Sequence, residues 1–211
     1  IDSTDIFNND RKCSKGATTQ TRMVVNSLRS KGWNINLDEQ MSCMGYEVPQ
    51  LLNFLRDPTG RQRIEQADVV VVRIGGNDAG FVPRVATCLA NYCLPEWIPA
   101  PGHTPLNEVG DSLTELYGLI ATSASPGTEV IVLNYPDLFG AQLFDWDDTH
   151  LGCAALQQYG LGAISQQIMR DLRESLNQVI AWRLSLVDGM NDVDFSVMNV
   201  VDNYEGHGAC G

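Results

Sequence analysis

Three short stretches of this chain carry residues whose types and spacing could do chemistry. The first is Gly75-Gly76-Asn77-Asp78, directly after the apolar run ADVVVVRI at 67–74. Paired glycines permit a tight turn and a close backbone approach. The amide of Asn77 behind them could donate to developing negative charge without carrying charge itself. An ordinary strand-to-helix turn, with Asn77 or Asp78 capping the next helix, fits these residues about equally well. The second stretch is Tyr204-Glu205-Gly206-His207-Gly208-Ala209-Cys210. A histidine in a glycine-flanked loop can serve a nucleophile as general base. The third is Ser42-Cys43-Met44-Gly45-Tyr46, where Gly45 could offer a backbone N–H and where a plain turn would look the same. The other two histidines, His103 in a Pro/Gly loop and His150 in DWDDTH, read as surface residues.

These stretches need elements to aim them. Residues 18–31 have a helical pattern stopped by Gly32 as a C-terminal cap. Residues 33–37 (WNINL) read as a short strand. Val48, Leu51, Leu52 and Leu55 fall at helical spacing within 47–56. The β-branched run 67–74 reads as a parallel strand buried on both faces. Leu106, Val109, Leu113, Leu116 and Ile120 form one stripe of a helix over 106–121. Ser125-Pro126-Gly127 is a turn, and 128–134 repeats the buried-strand pattern. Ile164, Ile168, Leu172, Leu176 and Ile180 mark a long helix within 155–185, and 194–200 reads as a last strand. Strands alternating with helices predict an α/β domain with a mostly parallel sheet. Its ligand site belongs beyond the carboxyl ends of the strands, where the glycine-rich turn and His207 fall.

The chain has 211 residues, enough for a sizeable core, and no repeat or linker divides it, so 1–211 reads as one domain. Its net charge of −12, with no basic cluster, argues against nucleic acid as a partner. No apolar run approaches the roughly 20 residues of a membrane span, so stable membrane insertion is not expected. Six cysteines with no C-x-x-C pair argue for disulfides and an oxidising compartment rather than a zinc site.

Taken together and in order, these features resemble the secreted SGNH (GDSL-type) esterases and lipases. The likeness spans nearly the whole chain. It rests on Cys13 in an early loop, Cys43 to Gly45 as Cys-x-Gly, and 75–81 as Gly-Gly-Asn-Asp-x-Gly-Phe. Tyr135-Pro136 and the Gly-His-x-x-Cys of 206–210 complete it. The resemblance implies a three-layer α/β/α fold with a parallel five-stranded sheet in the flavodoxin-like order 2-1-3-4-5. It implies ester hydrolysis by a Ser nucleophile, with His207 as base and Asn77 and Gly45 as oxyanion donors. It implies a secreted monomer with no metal or organic cofactor, acting on acyl or acetyl esters of lipids or polysaccharides. Resemblance and proximity in sequence together suggest bridges joining Cys13 with Cys43, Cys88 with Cys93, and Cys153 with Cys210.

Two family features differ. The Gly-Asp-Ser block is not found; Ser3 has no apolar strand before it and reads as a surface residue. The nucleophile and the first strand are therefore expected in a segment upstream of Ile1. The position three residues before His207, an Asp in many members, is Tyr204. Neither Asp202 nor Glu205 has that spacing, so a backbone carbonyl is expected to orient the imidazole. A non-enzymatic alternative is a carbohydrate- or lipid-binding relative without the nucleophile. Trp97 and Trp146 could stack on a sugar, line an acyl pocket, or simply pack under their loops.

Overall fold

Helix-forming and strand-forming segments alternate along the computed structural model, which describes residues 20–37, 45–80, 104–136 and 163–200. The chain divides into two units, Ile1–Tyr46 and Glu47–Gly211.

In the first unit, α1 spans Gln20–Ser30. It ends where the pattern predicts. Gly32 takes a left-handed φ of +90°. Trp33 N–H then donates to Leu28 O at 3.2 Å and Gly32 N–H to Arg29 O at 3.0 Å. That pair of bonds is a Schellman cap. The expected strand at 33–37 does not form; these residues are irregular. Trp33 is 64% exposed, and Arg29 Nε donates to Ile35 O at 2.7 Å. Among the described residues they pair with no strand, and a side chain of the preceding helix takes up a backbone carbonyl.

The second unit begins with two short helices, α2 (Val48–Arg56) and α3 (Pro58–Glu65). Proline in the first turn suits both, because the N–H it lacks has no intrahelical partner there. Asp57 caps α3 by accepting from Thr59 N–H at 2.8 Å. Then come β1 (Val69–Val72), α4 (Thr104–Ser123), β2 (Glu129–Leu133), α5 (Ala163–Ser185), a 3-10 turn at Met190–Asp192, and β3 (Asp194–Met198). The strands form a parallel sheet in the order β1-β2-β3. The architecture is mixed α/β, with five α-helices and three strands among the described residues.

Val70 and Val72 of β1 and Val130 and Val132 of β2 share one buried sheet face. Packed with them are Val48, Leu52 and Leu55 of α2, the α4 stripe Leu106, Val109, Leu113, Leu116 and Ile120, and Leu176 and Ile180 of α5. Burying each such side chain stabilises by about 1.5–3 kcal/mol relative to exposure. Tyr117 is fully buried in the same core, and its hydroxyl is enclosed without a hydrogen-bond partner among the described residues. Burial pushes its ionisation well above the ordinary phenol range. The other sheet face departs from the sequence reading. Val69 and Val71 are 50% and 58% exposed, so β1 is buried on one face only.

Candidate active site

The carboxyl end of β1 leads straight into the glycine-rich turn. Gly75 has φ +108°, a conformation that L side chains rarely adopt. Gly76 is glycine for a different reason. A Cβ there would lie 2.7 Å from Cε1 and 2.8 Å from the hydroxyl oxygen of Tyr135. The turn closes through Ala79 N–H to Gly75 O at 2.9 Å and Gly80 N–H to Asn77 O at 2.8 Å. Asn77 therefore sits at the head of a hydrogen-bonded turn beyond a parallel strand, half-buried.

The residues after β2 brace that turn. Gly76 N–H donates to the Tyr135 hydroxyl at 2.7 Å. The Arg73 guanidinium lies 5.0 Å from the centre of the Tyr135 ring, within cation–π range. Burial raises the ionisation of Tyr135, against the opposing pull of the Gly76 bond and Arg73. The main chain of Tyr135 is gripped by one side chain of α5. Its N–H donates to Asn177 Oδ1 at 2.8 Å, and Asn177 Nδ2 donates to its carbonyl at 2.9 Å. The end of β3 is tied in too: Asn134 Nδ2 donates to Asn199 Oδ1 at 2.9 Å, and Val200 N–H donates to Asn134 Oδ1 at 2.8 Å.

Asp78 reaches back toward α2, an element 30 residues earlier in the chain. Its Oδ1 accepts from Val48 N–H at 2.9 Å, capping α2, while Gln50 Oε1 accepts from Glu47 N–H at the same terminus. Its Oδ2 is buried without a hydrogen-bond partner among the described residues. Burial raises the Asp78 pKa above its usual value, opposed by the Val48 and Asp78 backbone N–H groups and assisted by nearby Glu47. Asp78 lines an open pocket of about 240 Å³ together with Glu47, Glu108, Val109 and Ser112.

Gly45 belongs to the first unit, with φ +75° and nothing within 4 Å of a Cβ placed on it. Conformation rather than space asks for glycine there. His207, the sequence-assigned base, lies outside the described residues. So do Ser3, Ser42 to Met44, Phe81, Trp97, His103, Trp146, His150, 202–205 and all six cysteines. Among the described residues no group of three or more His, Cys, Asp or Glu is arranged to hold a metal ion. No helix among them is long and apolar enough to cross a membrane.

The sequence reading missed the braces. Tyr135 carried only its place in a Tyr-Pro pair. Asn177 carried one faint signal: an Asn inside a helix, a poor helix former beside the core residue Leu176. The capping of α2 by Asp78 leaves no local signal, because its partner lies 30 residues earlier. No family model matches this chain, and comparison with curated proteins finds no match.

Proposed function

We propose that the protein is a secreted serine esterase that hydrolyses carboxylic esters, with Asn77 and Gly45 as oxyanion donors and His207 as general base. The observation that carries this reading is the Gly75-Gly76-Asn77-Asp78 turn at the carboxyl end of β1, held by hydrogen bonds on both sides of Asn77. A preorganised neutral amide in that position is what an acyl-transfer site needs, because it meets developing oxyanion charge without reorganising. The ordered motifs of the sequence add a base in His207 and a second donor in Gly45.

In the proposed reaction a serine hydroxyl attacks the ester carbonyl and His207 takes its proton. The tetrahedral oxyanion collects beside Asn77 and Gly45. Collapse breaks the ester C–O bond, and the alcohol leaves with the proton from His207. Water then hydrolyses the acyl-serine by the same steps. The full fold in this reading is a three-layer, five-stranded sheet in which β1, β2 and β3 are the last three strands, adjacent and parallel. The three disulfides, the monomeric state and the secreted location belong to the same proposal.

The test uses the mature protein with any segment that precedes Ile1, treated with a fluorophosphonate probe and assayed on p-nitrophenyl acetate. Covalent phosphonylation of a serine, abolished with ester hydrolysis by His207→Ala, is expected. A folded protein that neither labels nor hydrolyses short acyl or acetyl esters sinks the enzyme reading.

A further inference from the structure

We propose that Tyr135 and Asn177 are positioning residues that hold Asn77 in its oxyanion-donating place, an inference that rests on the esterase reading above. The chain of contacts starts in the middle of α5. The Asn177 amide satisfies both main-chain groups of Tyr135, as a neighbouring strand would, just where β2 has left the ladder. Two bonds to one residue fix its backbone and the direction in which its side chain departs.

That side chain determines the next position. The Tyr135 ring sits where a Cβ of residue 76 would be, so Gly76 is pressed directly against it. The phenol oxygen accepts the Gly76 N–H at 2.7 Å and thereby orients the peptide plane preceding the Gly76 Cα. Asn77 is the next residue, and its carbonyl closes the turn onto Gly80. A shift of the Tyr135 hydroxyl is thus carried to Asn77 through a single residue. Catalytic constellations must be held to within about 0.5 Å, and misplacement by about 1 Å can cost a hundredfold in rate. If the Tyr135 ring only filled space, phenylalanine would replace it. The hydroxyl is what reaches the buried Gly76 amide.

The experiment is a double-mutant cycle on the active protein with p-nitrophenyl acetate. Tyr135→Phe keeps the ring and removes only the acceptor. It should lower kcat about tenfold to a hundredfold with KM nearly unchanged, and Asn177→Leu should act in the same direction. In an Asn77→Ala background, Tyr135→Phe should have almost no further effect, since the group it positions is gone. Amide hydrogen exchange gives a readout independent of activity. The Gly76 amide should be protected in the wild type and lose protection in Tyr135→Phe.

A Tyr135→Phe enzyme with wild-type kcat overturns the inference. So does an equal loss in both backgrounds, which would mean that Tyr135 acts on something other than Asn77. Unchanged Gly76 exchange in the variant overturns it whether or not the protein is an esterase. A wild-type protein inactive on esters, with Gly76 exchange responding as stated, defeats the esterase reading while keeping the Tyr135–Gly76 link.

Discussion

At the scale of single residues, Asn77 and Asp78 are neighbours with opposite prospects. Asn77→Ala should lose on the order of 3 kcal/mol of transition-state stabilisation, the usual consequence of deleting an oxyanion donor. The loss should fall on kcat, with the thermal midpoint nearly unchanged; a variant with full kcat on an ester that the protein cleaves ends this assignment. Asp78 is a matter of stability. Its folded pKa is raised above 3.8, chiefly by burial. The stability it contributes is therefore full below pH 3.8 and is lost as pH rises through the folded value. Desolvation outweighs the favourable field of the α2 N-terminus, where Oδ1 accepts from Val48 N–H. Asp78→Asn keeps an oxygen for that bond and removes the charge. It should be more stable than the wild type at pH 7, with the advantage closing below about pH 4. Denaturant midpoints at both pH values decide it, and an advantage that persists in acid contradicts the mechanism. Asn77 was legible in the sequence because its place follows from one strand and two glycines. The role of Asp78 was not, because it depends on how α2 packs.

At the scale of elements, long apolar stripes were easy to read and short polar helices were not. The Leu106, Val109, Leu113, Leu116 and Ile120 stripe gave α4 because each of these residues reaches the core. α3 (PTGRQRIE) escaped notice, since only Ile64 is apolar and Gly60 suggests a break. The structure gives Gly60 another purpose. Its Cβ position lies 2.0 Å from the Phe54 carbonyl oxygen, so α3 meets the end of α2 where no side chain fits. Gly60→Ala should destabilise by roughly 1–3 kcal/mol through overpacking, whereas helix propensity alone predicts a gain of about 1 kcal/mol. The sign of the change in urea midpoint separates the two. The outcome at 33–37, where a strand is expected, has the complementary reason: alternation makes a strand only where an edge awaits it, and among the described residues 33–37 pairs with none.

At the scale of the molecule, the parallel order of the sheet was legible because buried strands separated by amphipathic helices leave little other choice. The exposure of Val69 and Val71 was not, since a run of four valines reads the same on both faces. The core that does form contains a feature that selection for stability alone would not favour: the Tyr117 hydroxyl, enclosed at its centre without a partner among the described residues. Removing a buried, unpaired hydroxyl while keeping the ring should stabilise. Tyr117→Phe is expected to gain about 1 kcal/mol, read as a raised thermal midpoint. A loss of stability would show that the hydroxyl has a partner, such as an enclosed water.

The parallel sheet also sets a sequence of events in time. Each ladder joins residues with a whole helix between them, Val69 with Glu129 and Glu129 with Asp194, so no strand can find its neighbour through a short hairpin. A long loop must close before the first ladder bond forms, which makes strand pairing slow. The α2–α3 corner and the turns of α4 close over a few residues and face no such delay. In refolding followed by pulsed hydrogen labelling, amides of α4 should be protected ahead of those of β2, and β2 amides shielded first would reverse that order.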